Sequence, residues 1–326
     1  MHSQLRKHVG AVERAMLDEL RHWPWSVVEP LGTIVEGQLR AGGKRMRPLL
    51  ALAYAETAGG DPARVVPAAA SVELYHIASL VLDDVQDGAR LRRGVTTVHA
   101  SSSVSVAITV AALIRSLSYH TIHRCPDYDA EGRTALHREL DDAATRLVLG
   151  QGVDIGWNAG WYARPGDFPY DRMTAWKTGA LFGCAAAMGA LTAGSGRDGI
   201  DRARQFGVSF GMIYQMADDY LDLFGADGAL GRPRFEDLRA GKFSAPVAGL
   251  LRVLAEQRDD ATATSVVDSL RDPAADRKWL RSLMSEHAIA DRLRGEIAEA
   301  AAILERPPGS ALDDLVAAVL ATVRPS

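Results

Sequence analysis

Two acidic sets with one spacing dominate the chemistry open to this chain: Asp83, Asp84 and Asp87, and far downstream Asp218, Asp219 and Asp222. Residues four apart on a helix share a face, so Asp83/Asp87 and Asp218/Asp222 each read as a two-carboxylate claw. Each set closes an apolar run, Ile77 to Leu82 before the first and Phe206 to Met216 before the second. Carboxylates at this density in apolar surroundings repel one another and demand cations. Hard oxygen ligands in pairs suit Mg2+, which keeps several waters and is usually completed by phosphate oxygens.

Basic residues accompany both sets. Lys44 and Arg47 follow Gly42-Gly43, three apart at an expected helix start, where backbone N–H groups and the helix dipole favour an anion. A nucleotide-binding loop is excluded, since Lys44 is followed by Arg45 and not by Ser or Thr. Arg92 and Arg93 follow the first acidic set, and His76 lies seven residues before Asp83 on the same helical face. Lys177 sits in an apolar stretch, where a lysine needs a partner or a polar cavity. Arg232, Arg234, Arg239 and Lys242 stud a Gly-rich segment at 225–243. So many cations beside six carboxylates point to more than one phosphorylated group, and the apolar walls ask for a greasy tail. The physical reading is metal-assisted chemistry on a lipid-like diphosphate. His120 and His123 lack a third ligand and read as packing or surface residues.

The elements that must carry these residues are helical, because Ala, Leu, Arg and Glu are plentiful and alternating β-branched runs are scarce. Helices are expected over about 3–21, 27–40, 62–87, 101–123, 130–157, 168–194 and 199–224, with helical hairpins from 244 to 323 broken at Pro273 and Pro307-Pro308. Asp61-Pro62 reads as an N-cap followed by proline in the first turn. Trp157, Trp161, Pro165 and Pro169 are placed in a connecting loop, and Gly150 and Gly152 are expected to allow close helix approach. The formal net charge of −4 argues against nucleic acid as a partner. Cys125 and Cys184 form no disulfide framework or metal motif. No signal-peptide core and no uninterrupted apolar run of roughly 20 residues is seen, so a cytoplasmic protein without a transmembrane segment is expected.

Gly42-Gly43-Lys44-Arg45-Met46-Arg47-Pro48, Glu73 and His76 before the first aspartates, and Leu91-Arg92-Arg93-Gly94 occur in a telling order. Gly150-Gln151 with Asp154, Lys177-Thr178, Gln215 before the second aspartates, and Gly241-Lys242 continue it. In this the chain resembles the trans-isoprenyl diphosphate synthase (polyprenyl synthetase) family over about residues 40–246. The resemblance implies a single all-α domain over 1–326, an isoprenoid-synthase-type helical bundle around a deep central cavity, and a homodimer. It implies Mg2+ as cofactor, three ions per site with substrate bound. Asp83, Asp87 and Asp218 would be direct ligands, and Asp84, Asp219 and Asp222 ligands through water or supports. Arg92, Lys177, Thr178, Gln215, Arg232 and Lys242 would meet an allylic diphosphate, with Arg232 where the family usually has lysine. Lys44, Arg47, His76 and Arg93 would hold isopentenyl diphosphate. Asp83, Asp87, Asp218, Lys177 and Arg92 would carry the catalysis, in which the two substrates are condensed.

The chain departs from the family pattern at Ala111-Ala112, where Gly-Asp is common, and at Leu82, Thr96 and Ser244-Ala245. None removes an expected metal ligand; the Ala111-Ala112 change bears on packing around the 101–123 helix. Ala78 and Ser79, five and four before Asp83, are small and leave a tunnel open. Tyr75, eight before Asp83 and about 12 Å down the axis at about 1.5 Å per residue, could floor it, for a product of about twenty carbons with fifteen or twenty-five as neighbours. Two rivals stay open. A class I terpene cyclase would leave Lys44, Arg47 and His76 superfluous. A non-catalytic subunit of a heteromeric synthase would normally lose one aspartate set, and both are complete here.

Overall fold

The structure, a computed structural model, describes residues 3–162, 164–226, 234–272 and 274–324. Its first helices are α1 (Ser3–Leu20), α2 (Glu29–Arg40), α3 (Met46–Thr57) and α4 (Pro62–Gln86). A small antiparallel hairpin, β1 (Leu91–Arg92) and β2 (Val95–Thr96), leads to α5 (Val98–Ser101), α6 (Val104–His123) and α7 (Ala130–Asn158). Next come α8 (Tyr170–Thr174), a π turn at Ala175–Gly179, α9 (Ala180–Thr192) and α10 (Arg197–Phe224). The C-terminal part holds α11 (Glu236–Arg239), α12 (Ala245–Glu256), α13 (Asp260–Arg271), α14 (Lys278–Glu286), α15 (Ile289–Ala302) and α16 (Ala311–Thr322).

Local chemistry sets several of these boundaries. The Asp61 carboxylate accepts the Ala63 N–H at 2.9 Å, and Pro62 occupies the first turn, where no N–H partner is needed. The Ser103 hydroxyl accepts the Val106 N–H at 3.2 Å, so α6 starts at Val104 rather than at 101. Pairing of residues 91–96 was not expected from the sequence. Trp157, expected in a loop, instead belongs to α7 and is fully buried.

The chain divides into two compact units. The first comprises Met1–Ala144, Leu181–Gly207 and Arg306–Leu315. Within it α4 is flanked by α1, α3 and α6, and Leu50, Leu52, Leu74, Val72 and Ile114 are among its fully buried residues. By length and composition alone α4 and α6 could cross a membrane. In the fold α4 spends its apolar residues on packing, and it carries the buried polar residues Glu73 and Asp84. Ala111 of α6 is fully buried, and α6 runs unbroken through Ala111-Ala112.

The second unit comprises Thr145–Ala180, Val208–Glu305 and Val316–Ser326. Its core joins Trp157, Phe168, Met173, Leu223, Phe243, Leu250 and Val266. The Trp157 and Phe243 rings meet edge to face at 4.8 Å, and Phe168 lies 4.5 Å from Phe243 between centroids, geometries that aromatic quadrupoles favour.

Candidate active site

In the first unit the hairpin turn is where two arginines are aimed. Arg93 (φ 53°) and Gly94 (φ 78°) are both left-handed, as a two-residue turn matched to strand twist requires. From β1 the Arg92 guanidinium reaches back to α4, with Nη2 donating to Asp83 Oδ2 at 3.1 Å and Nε to Asp84 Oδ1 at 2.6 Å. Arg93 Nη1 donates to the carbonyl of Gly42. Gly43, at φ 149°, has a backbone conformation that side chains rarely adopt, and Arg93 Nη1 lies 2.7 Å from where its Cβ would stand. Arg92 and Arg93, adjacent in sequence, thus tie the first aspartates to the Gly42-Gly43 loop.

That loop is fixed from below. Arg45, left-handed at φ 49°, caps α3 and sends a buried guanidinium to three helices. Nη1 donates to Glu73 Oε1 at 2.8 Å, Nε to Glu13 Oε1 at 3.1 Å and Nη2 to the Leu39 carbonyl at 3.1 Å. Lys44 therefore lies ahead of the helix, exposed, and does not share its first turn with Arg47 as the sequence spacing predicted. Arg47 Cζ lies 4.4 Å over the ring of Phe182, a fully buried residue of α9. His76 stands among these groups. Burial lowers its pKa well below 6.5, and the guanidiniums of Arg47, Arg93, Arg92 and Arg45 push the same way. Cations from separate elements converge on one neutral imidazole.

Along α4 the residues His76, Ser79, Leu80 and Asp83 keep partial exposure at helical spacing, and Asp87 is exposed at the helix end. The Asp87 N–H donates to the Asp83 carbonyl at 2.8 Å, so the helical register holds through both carboxylates. Asp84 faces inward; burial pushes its carboxyl up and Arg92 opposes this. Tyr75 and Ala78 are buried, and burial pushes the Tyr75 hydroxyl up, with Arg115 opposing and Asp141 adding to the shift.

The second unit holds the other set. Gly150 of α7 has no room for a Cβ, which would stand 2.3 Å from the Lys177 backbone nitrogen, whereas one on Gly152 would meet nothing within 4 Å. Of the two glycines expected to permit close approach, Gly150 alone does so. It seats the π turn, a local widening often found at functional sites. The Lys177 ammonium donates to Asp154 Oδ2 at 2.5 Å, which supplies the partner that its apolar surroundings demanded. Next to it the Thr178 hydroxyl donates to Gln215 Oε1 at 2.9 Å, and Gln215 Nε2 donates to Asp219 Oδ1 at 2.7 Å.

Asp219 is pinned on its other oxygen too, by the Tyr170 hydroxyl at 3.2 Å and the Ala245 N–H at 2.8 Å. Burial, then the Asp237 carboxylate, pushes its pKa up to about 7, against the donors from Ala245 and Gln215. Asp222 is 2% exposed and accepts the Asp237 N–H at 3.2 Å, which fastens the start of α11. Asp218 keeps partial exposure. The two acidic sets are therefore not the equal claws that their spacing predicted: Asp83 and Asp87 stay accessible, while Asp219 and Asp222 are turned into the unit to hold its loops. Lys242 follows Gly241 (φ 69°), whose carbonyl accepts Trp157 Nε1 at 3.0 Å and whose missing Cβ leaves room for the Leu270 carbonyl. Arg232 lies outside the described residues.

Among the described residues no three acidic, histidine or cysteine side chains gather into a ready-made metal cage. The accessible donors are paired or single carboxylates, and Mg2+ suits such a set because it takes one or two carboxylates and completes its shell with water and phosphate. Several residues of the site escape a reading by motif. Tyr170 and Phe182 give no sequence signal beyond being aromatic. Arg45 and Glu73 lie inside matched motifs, but their pairing is not encoded in their spacing.

The sequence profile of the polyprenyl synthetase family matches residues 28–281. The geranylfarnesyl diphosphate synthase of Aeropyrum pernix is 32% identical over 280 residues, covering 83% of this chain and 85% of its own. The geranylgeranyl pyrophosphate synthetase structure from Pyrococcus horikoshii Ot3 superposes with a TM-score of 0.82 at 26% identity, over 98% of this chain and 97% of that one. A polyprenyl synthase from Caulobacter crescentus CB15, solved with calcium and isoprenyl diphosphate, gives 0.80 at 26% identity over 98% and 95%. With an all-α fold, two aspartate sets and the basic residues in order, this chain belongs to the polyprenyl synthetase family.

Proposed function

We propose that this protein is a magnesium-dependent trans-prenyltransferase that condenses isopentenyl diphosphate with an allylic diphosphate. The observation that carries this reading is the convergence of Arg47, Arg93 and Arg92 on His76 beside the Asp83–Arg92 pair. A cyclase acts on one diphosphate and has no use for a second cationic pocket next to its metal-binding aspartates. In this reading Lys44, Arg47, His76 and Arg93 hold the diphosphate of isopentenyl diphosphate. Asp83, Asp87 and Asp218 are the metal ligands, with Asp84, Asp219 and Asp222 supporting them. Arg92, Lys177, Thr178, Gln215 and Lys242 meet the allylic diphosphate; Arg232 is assigned there from the sequence alone. When bound, Mg2+ neutralises charge that builds on the departing diphosphate.

The protein's own groups do the rest. Arg92 and Lys177 add fixed positive charge as the allylic C–O bond breaks and the electron pair leaves with the diphosphate. The double bond of isopentenyl diphosphate, held by the His76 cluster, attacks the allylic carbon. A proton is then lost to the released diphosphate. Apolar walls keep water from the cation.

A twenty-carbon product is proposed, with Tyr75, Ala78 and Ser79 governing length. The geranylgeranyl and geranylfarnesyl names of the relatives support that range. Both units are taken as one catalytic domain of a cytoplasmic homodimer. The test is incubation with geranyl and farnesyl diphosphates, with and without isopentenyl diphosphate, and mass analysis of products. Elongation that requires isopentenyl diphosphate is expected; a hydrocarbon formed without it would instead establish a cyclase.

A further inference from the structure

The second unit carries a basic cleft that no step of the proposed reaction uses. It holds about 560 Å³, with Tyr220, Phe224, Arg234, Lys278, Arg281 and Arg294 among its walls. Cations from a loop, α14 and α15 meet there in a chain whose formal net charge is −4, and no acidic side chain is among the described residues that line it. Asp291 pairs with Arg294, and the exposed Asp276 lies 3.6 Å from the Lys278 ammonium; neither is part of the wall.

The arrangement holds like charges together. Arg281 Cζ lies 3.9 Å over the ring of Phe235, and Arg234 Cζ lies 4.7 Å over the same ring. The shared aromatic ring gives both guanidiniums a fixed seat at the cleft, with part of their desolvation offset by the ring's negative face. Arg294 is aimed by its hydrogen bond to the Tyr220 hydroxyl at 2.9 Å. Guanidiniums match phosphate in bidentate fashion, and the Tyr220 and Phe224 rings, tilted at 47° with centroids 5.3 Å apart, offer an apolar wall beside them. Tyr220 lies about 200° around α10 from both Asp218 and Asp222, at about 100° per residue, so the cleft opens on another side of the helix.

We propose that this cleft binds a phosphate-bearing small molecule with an apolar or aromatic group next to the phosphate, at a site separate from the two aspartate sets. The probes are phenyl phosphate and inorganic phosphate, titrated calorimetrically into the full-length protein in EDTA, which silences metal-dependent binding. Saturable binding of phenyl phosphate, at least tenfold tighter than inorganic phosphate and at least tenfold weakened in K278Q/R281Q, is expected. Equal affinity for the two probes, or undiminished binding by the folded variant, would overturn the proposal. Should the double variant fail to fold, the exposed single change R281Q gives the same readout with a smaller loss. Binding here does not depend on turnover: an inactive protein that still binds phenyl phosphate counts against the prenyltransferase reading alone.

Discussion

Arg45 and Glu73 form an ion pair at 2.8 Å in which each side chain is 4% exposed. Glu73 lies one turn before His76 on α4, and Arg45 lies between Lys44 and Arg47, so the pair locks the cationic loop to the imidazole. Removing Glu73 leaves the buried guanidinium only the half-exposed carboxylate of Glu13, and removing Arg45 leaves the buried Glu73 without its cation. Glu73→Leu is expected to cost about 3–5 kcal/mol in denaturant unfolding, and the double change Arg45→Met/Glu73→Leu to recover part of that loss. If the single and double variants unfold alike, the pair is not what holds the loop.

The accessible carboxylates separate from the buried ones by kinetics. Asp83→Asn and Asp218→Asn are expected to lower kcat on the order of 10²–10³-fold with little change in stability, as loss of one transition-state stabiliser does. Asp222→Asn, which weakens the anchor of α11, is expected to lower the melting temperature as well. Equal thermal stability in all three variants would remove this distinction.

Gly150 and Gly152 lie two residues apart on α7 yet should respond in opposite ways. A Cβ at Gly150 collides with the Lys177 backbone, so Gly150→Ala is expected to cost about 1–3 kcal/mol and to disturb the Lys177–Asp154 pair. Gly152→Ala meets open space and should stabilise the helix by up to about 1 kcal/mol. Chemical denaturation of both variants decides the matter.

His76 should report anion binding through protons. Burial and its cationic neighbours keep the imidazole neutral, so folding loses stability as pH falls below 6.5, where the unfolded chain takes up a proton that the folded one does not. A bound diphosphate offsets those cations and raises the imidazole pKa. At pH about 6, calorimetry in buffers of different ionisation enthalpy is expected to record proton uptake with isopentenyl diphosphate, and none with His76→Gln.

Tyr75 tests the length of the product. Replacing it with Ala empties a buried volume on α4 and is expected to lengthen the product by one or more five-carbon units in mass analysis. An unchanged profile would assign Tyr75 to packing in the first unit, where α4 lies against α6.

The sequence by itself determined the helices, the two aspartate sets and the order of the cations around them. Each of these is written in local spacing: the Asp61 cap and the Asp83–Asp87 register depend on neighbours within a turn or two. Lys177 announced that it needed a partner, because an ammonium in an apolar stretch is too costly alone. Tertiary structure alone decided which carboxylates stay accessible. Asp218 and Asp222 share a spacing with Asp83 and Asp87, but the Asp237 N–H, fifteen residues downstream, turns Asp222 inward. Arg45 meets Glu73 across twenty-eight residues, Arg93 meets Gly42 across fifty-one, and Tyr170 meets Asp219 across forty-nine. Pairings at such separations are set by how helices pack and where burial forces a polar group to find its partner, and no periodicity along the chain encodes them.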